Sequence, residues 1–250
     1  MTGRRAKKRK KNERGFEWPD LASQVVAMEG AGLVTRTFRR LDSDRQNAVL
    51  AAILTEAAER GPARVSIKEV AARAGVSVGS LYQYFGDRDH MVDFAVELSR
   101  GYLVSVLEAS KEPLASLPLR EGLKAYVEAG CDWAAEQAEV MRLFARAAYH
   151  GDASLTERLV EPVARAMRDV VRSMLAAAAA RGEIDPKLDL NALAAVVHAM
   201  TAVLGDARML PHLAAYLQLG TDPVDAGGIL REALGLMLRG VTPRPGQSPG

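Results

Sequence analysis

Between Ser66 and Phe85 two short apolar stripes of helical period meet at a single glycine, and few folds accommodate that pattern. Ile67, Val70, Ala71 and Ala74 recur at i, i+3, i+4 and i+7, one face of a helix that Ser66 opens, with Glu69 at the S-x-x-E spacing of a capping box. Gly75 suits a left-handed carboxyl-terminal cap, after which Val76 points back into the core and Ser77 caps a second helix, Val78 to Phe85. In that helix Leu81 and Phe85 stand one turn apart and face the Ile53, Ile67 and Val70 cluster, so that Gly79, Ser80, Gln83 and Tyr84 point outward. Helix, glycine turn and short helix in this order make the helix-turn-helix plan, whose second helix enters a major groove.

The remainder is rich in Ala, Leu, Glu and Arg with few β-branched alternations and reads as helix after helix, so the fold class is all-α. A first helical segment over 20–40 is interrupted by Gly30 and Gly32. The next begins at Ser43, with Gln46 at the S-x-x-Q spacing of a capping box, and carries Val49, Leu50, Ile53, Leu54 and Ala57 on one face until Gly61-Pro62. Beyond Gly86-Asp87 a long helix runs from Arg88 to Lys111, followed by amphipathic segments over 119–136, 138–150, 154–181, 188–217 and 224–239. The breaks are Pro113 and Pro118, Gly151-Asp152, Gly182 with Pro186, and Gly220 to Pro223.

Residues 1–15 hold eight Lys or Arg (Arg4, Arg5, Lys7, Lys8, Arg9, Lys10, Lys11, Arg14) against Glu13, in a chain whose net charge is only +2. Such a block is a solvated, disordered arm attracted to polyanions. The domain reading is therefore 1–41 for the basic arm and extra helix, 42–90 for the three-helix helix-turn-helix domain, 91–241 for a second helical domain, and 242–250 for a disordered Pro- and Gly-rich tail. With 48% hydrophobic residues the 250-residue chain has ample material for a core. The single cysteine, Cys131, excludes an intramolecular disulfide framework, reads as a small apolar helix residue and fits a reducing cytoplasm. No uninterrupted apolar stretch approaches the ~20 residues of a membrane span, so a cytoplasmic protein without a membrane partner is expected.

The outward face of the second helix is small or hydrogen-bonding and almost free of acids, as a surface approaching phosphates requires. Gly79 lets backbone come close, the Ser80 and Tyr82 hydroxyls can donate, Gln83 can pair with adenine, and Tyr84 can reach the phosphate backbone. Ser66-Ile67-Lys68-Glu69-Val70-Ala71-Ala72-Arg73-Ala74-Gly75-Val76-Ser77, followed by Gly79-Ser80-Leu81-Tyr82-Gln83-Tyr84-Phe85, resembles the DNA-binding signature of the tetracycline-repressor (TetR) family over about residues 45–95. The resemblance implies DNA contacts from Ser80, Tyr82 and Tyr84, groove-facing positions for Val78, Gly79 and Gln83, and a phosphate contact from Arg88, where the family carries lysine. Ser66 and Ser77, at helix amino ends, complete the candidate DNA-binding set.

It further implies a C-terminal ligand-binding and dimerisation domain, a double-stranded operator as partner, a homodimer, and no cofactor. The expected dimer stripes are Leu190, Leu193, Ala194, Val197, Thr201 and Leu204, and Ile229, Leu230, Ala233, Leu234, Met237 and Leu238, unless both serve the intrachain core. Tyr126, Trp133, Met141, Phe144, Met167 and His198 are the candidate ligand-binding residues, and the scarcity of charge on these faces favours an apolar or aromatic effector. Effector binding is expected to move the long helix from Arg88 and release a repressor from a palindromic operator. Two alternatives stand beside this reading. One is a ligand-independent architectural DNA-binding protein that uses the arm. The other is a serine hydrolase, because Gly75-Val76-Ser77-Val78-Gly79 matches G-x-S-x-G, although that elbow needs a strand before the serine. His90, His150, His198 and His212 have no metal-ligand spacing.

Overall fold

The computed structural model describes residues 18–151, 153–185, 187–218 and 226–241, without the side chains of residues 131, 134, 135, 150, 208, 209, 211, 226, 227, 230, 240 and 241. The basic arm and the tail lie outside the described residues. Among the described residues every regular element is helical: α1 Leu21–Gly30, α2 Arg36–Arg39, α3 Ser43–Arg60, a 3-10 turn Pro62–Arg64, α4 Ile67–Ala74, α5 Val78–Phe85, α6 Arg88–Ser116, α7 Leu119–Glu136 and α8 Ala138–His150. There follow a short turn α9 Ala153–Leu155, a π-helical turn Thr156–Val160, α10 Glu161–Ala180, α11 Leu190–Met209, α12 Pro211–Tyr216 and α13 Ala226–Val241. The chain divides into two compact units, Met1–Ser99 with Arg142–Leu159, and Arg100–Met141 with Val160–Gly250.

In the first unit α3 packs on α4, α4 on α5, and the α1–α2 segment on α3 and α5. Phe38, Leu50, Ile53, Leu54, Leu81, Met91, Phe94 and Leu98 are fully enclosed. The Phe38 ring lies 5.1 Å from that of Phe85 and 5.3 Å from that of Phe94, so the segment before α3 supplies the centre of an aromatic cluster. Trp18, Leu21, Val25 and Val34 are buried with it. The expected capping box at Ser43 is replaced: Asp42 is the cap, accepting from Arg45 N at 2.9 Å. Gln46 is instead buried and donates to the carbonyls of Phe38 and Arg39, closing the end of α2. Residues 142–159 join this unit through Arg158, whose guanidinium donates to Asp93 at 2.6 Å and reaches Glu97.

The second unit centres on α7, α10, α11 and α13. Leu119, Leu123, Val127, Val170, Val171, Met174, Leu175, Ala194, Val197, Leu234 and Met237 form its core. Both stripes proposed from the sequence as dimer faces therefore point mainly inward: Ala194, Val197, Thr201, Leu234 and Met237 are buried, with Leu190, Leu193, Leu204, Ala233 and Leu238 packed beside them. The outward apolar residues are different ones, Val196 and Val203 on α11 and Leu236 on α13. By length and composition Leu190–Ala207 could cross a membrane, contrary to the sequence expectation, because small apolar residues outweigh the interspersed Asn191, His198, Thr201 and Asp206. In this fold that helix packs on α7 and α10. Pro113 does not end α6, which continues to Ser116. The missing donor falls near the helix end, and Arg181 satisfies that end by donating to the carbonyls of Ala115 and Leu117 at 2.8 and 2.7 Å.

Candidate nucleic-acid interface and effector-facing residues

The helix-turn-helix is built by local bonds. Ser66 Oγ accepts from Glu69 N at 3.4 Å, but the return bond of a capping box is not made by Glu69; Ser66 N donates to the buried Glu56 carboxylate at 3.4 Å. The same carboxylate pairs with Arg60 at 3.1 Å and Arg73 at 3.6 Å, so α3, α4 and the turn between them share one buried anion. Gly75 ends α4 in the left-handed region, φ 66° and ψ 31°, where a Cβ is strained. Two residues later Ser77 Oγ accepts from Ser80 N at 3.0 Å and caps α5. The G-x-S-x-G match is thus a helix, a turn and a capping serine, with no strand before Ser77.

On α5, Val78, Gly79, Tyr82 and Gln83 are exposed, Ser80 is half-buried with its hydroxyl 2.8 Å from that of Ser77, and Leu81 and Phe85 are buried as expected. Tyr82 is 50% exposed. Tyr84, expected to point outward, does not: it is 7% exposed, its ring 5.7 Å from Phe38. Leu81, Tyr84 and Phe85 form one i, i+3, i+4 face, and the segment before α3 covers it. That segment also fixes the end of α5, since Thr35 N donates to the Tyr84 carbonyl at 2.8 Å and Thr35 Oγ1 to that of Gln83 at 2.7 Å. Arg88 is likewise engaged rather than free, donating to the Ala63 carbonyl at 2.6 Å and to Asp89 at 2.7 Å. These intramolecular bonds compete with the phosphate contact expected of it. Thr35 was not among the sequence candidates, because a single hydroxyl bonding a carbonyl 48 residues away leaves no periodic signal.

The six candidate ligand residues divide between the units. Phe144 belongs to the first, whereas Tyr126, Trp133, Met141, Met167 and His198 belong to the second, all half-buried. Trp133 packs on Tyr102 at 5.7 Å. Tyr126 packs against the core of the second unit, and its hydroxyl is buried without a hydrogen-bond partner, as is His198 Nδ1. Burial pushes the Tyr126 hydroxyl pKa up. Burial also pulls His198 below its ordinary value; Arg168 adds to that and Asp206 opposes it, so the neutral imidazole is favoured. Buried polar atoms left unpaired are costly, and a ligand atom is one way of meeting them.

Two family models match the chain: bacterial regulatory proteins of the tetR family over residues 49–93, and the tetracyclin repressor-like C-terminal domain over 117–218. The HTH-type transcriptional repressor KstR2 of Rhodococcus jostii is 36% identical over 86 residues, covering 34% of this chain and 41% of the relative. The chain thus spans about two fifths of the length of the curated relative it matches. Among solved structures, a TetR family transcriptional regulator from Chloroflexus aurantiacus superposes with a TM-score of 0.56 at 19% identity, over 84% of this chain and 99% of that one. FadR from Bacillus subtilis, in complex with stearoyl-CoA, gives 0.55 at 16% identity over 77% and 97%. The ketosteroid regulator KstR2 of Mycobacterium tuberculosis gives 0.51 at 18% identity over 82% and 98%. The fold and the site define a helix-turn-helix protein with an appended helical domain. The chain belongs to the TetR family.

Proposed function

We propose that this chain is a cytoplasmic transcription regulator, a repressor that binds a palindromic operator as a homodimer and leaves it when a small apolar or aromatic effector binds. The observation that carries this reading is the exposed face of α5: Val78, Gly79, Tyr82 and Gln83 stand out from a capped helix that holds no acidic residue, on a domain built to position it. Val78, Gly79 and Gln83 face base edges, while Ser66, Ser77, Ser80 and Tyr82 meet phosphates. Arg88 reaches phosphate only by exchanging its Ala63 bond, and Tyr84 acts by supporting the helix.

Half-sites one DNA turn apart need two copies. Val196 on α11 and Leu236 on α13, 56% and 62% exposed, support a dimer face on those helices. The effector reading rests on two buried, unpartnered polar atoms, Tyr126 Oη against the apolar core of the second unit and His198 Nδ1 with Arg168 and Asp206 nearby, which suit a largely apolar molecule carrying one or two polar groups. Among the structural neighbours one holds stearoyl-CoA, with its long apolar acyl chain, and another is named for ketosteroids, which supports an effector with a large apolar part. The effector acts by binding one arrangement of the dimer's reading heads better than another, through α6.

The test is titration of the chain against the intergenic DNA upstream of its own gene and against scrambled DNA of equal length, with Tyr82→Ala alongside. Preference for the natural DNA that Tyr82→Ala abolishes supports the reading. Equal binding to both DNAs, carried wholly by residues 1–15, gives the architectural alternative its place, which the eight cations of the arm favour.

A further inference from the structure

Where α3 ends, three arginines converge on a cavity of about 210 Å³: Arg60 at the end of the helix, Arg64 in the 3-10 turn and Arg146 on α8, with Leu155 as an apolar wall. A dry cavity of about 150 Å³ already holds a benzene molecule, so the space accepts a small polyatomic ion. All of these residues belong to the first unit.

Arg146 is held in place. Its Nη1 donates to the carbonyls of Ala58 and Glu59 at 3.2 and 3.1 Å, and its guanidinium lies against Gly61, where a Cβ would stand 3.2 Å from Nη2. Gly61 has φ +85°, so the close approach and the backbone conformation both call for glycine. Arg64 is oriented by a bond from Nε to the Arg60 carbonyl at 3.0 Å, which leaves its two terminal nitrogens for other partners.

The nearby carboxylates are already taken. Arg73 pairs with Glu59 at 2.5 Å and shares Glu56 with Arg60, while Asp89 is bound by Arg88. Arg64 and Arg146 therefore form no ion pair among the described residues. Two oriented guanidinium groups without a facing carboxylate, with a third beside them paired to Glu56, present free N–H donors to one small space.

We propose that this cavity binds a small free oxyanion of the phosphate or pyrophosphate class. The ion bridges Arg64, in the turn that leads into α4, and Arg146, which caps α3 from α8. Binding then stiffens the corner from which the helix-turn-helix starts and gives the DNA-binding unit an input separate from the residues Tyr126 and His198.

The experiment is calorimetric titration of the full chain with inorganic phosphate and with pyrophosphate at constant ionic strength, with chloride as the comparison anion. Wild type should bind one of them saturably, one ion per chain, and show a rise in Tm. Arg64→Gln should weaken binding by about tenfold or more without changing the Tm of the free protein, since Arg64 is exposed. Arg146→Gln should weaken binding too, while also removing a cap from α3. Arg36→Gln, an exposed cation elsewhere in the same unit, should bind as wild type does. Absence of saturable binding in wild type, or an equal loss in Arg36→Gln, overturns the site. Displacement of the bound ion by nonspecific duplex DNA overturns the free-anion assignment and makes the arginines a DNA-backbone contact. None of these readouts requires an operator, so they stand or fall separately from the regulator reading.

Discussion

Tyr82 and Tyr84 are two residues apart on α5 and present opposite faces, so the same truncation at each separates recognition from support. Tyr82 is half-exposed, and Tyr82→Ala should leave stability within about 0.5 kcal/mol while abolishing preference for operator DNA. Tyr84 is buried on Phe38, and Tyr84→Ala should cost about 3 kcal/mol in denaturant unfolding, as deletion of a buried ring does. A mild Tyr84→Ala would show that the Phe38 cover contributes little. Gly75→Ala belongs to the same scale: with φ +66° the added Cβ should cost about 1 kcal/mol without touching any neighbour. Ser66, Ser77 and Gly75 were legible in the sequence because their roles are set within three or four residues. Tyr84 was not, because its side is decided by Phe38, 46 positions earlier, in a segment that reads only as an extra helix before the helix-turn-helix domain.

The corner between α6 and α7 shows how element ends are held at a distance. Pro118 precedes α7 and offers no side-chain cap, so Leu119 N donates instead to Glu183 at 2.7 Å, and Arg181, which closes α6, bonds the same carboxylate at 2.5 Å. Burial acts to raise the Glu183 pKa, but the Leu119 bond and then Arg181 outweigh it, and the value lies below the ordinary 4.5. A carboxylate depressed in the folded state contributes stability that is complete above the unfolded value and is lost as pH falls through the folded one. Glu183→Ala should therefore destabilise by about 1 kcal/mol at pH 7, and the difference from wild type should shrink below pH 4.5. A difference that is constant with pH would mean that the side chain packs rather than caps. Helix positions over 119–136 and 138–150 were legible from period alone. The continuation of α6 past Pro113 was not, since the groups that make it tolerable come from Arg181, more than sixty residues away.

At the scale of the whole molecule the proposed partners of the basic arm and of the exposed apolar residues differ, DNA for the one and a second copy for the other, and one salt series distinguishes their contributions. Each phosphate neutralised by a cation steepens the fall of log affinity against log salt by ~0.9. The arm carries eight cations against one acid, whereas α5 carries none. Deleting residues 1–15 should therefore flatten the salt slope by several units for operator and scrambled DNA alike and leave their ratio nearly unchanged, because phosphate contacts hold no sequence information. Val196→Glu on α11 should act in the reverse way if that face joins two copies: sedimentation should show monomers, and operator preference should fall while the slope on scrambled DNA, set per arm, is kept. The sequence left both apolar stripes open between a dimer face and the chain's own core, because helical period identifies an apolar side without saying which of the two covers it. Ala194 and Val197 went to the core, and Val196, between them in sequence but on a different face of the helix, was left outside. If arm deletion instead removes the operator preference and Val196→Glu leaves the protein dimeric and fully specific, then recognition resides in the arm, and the helix-turn-helix serves as its mount.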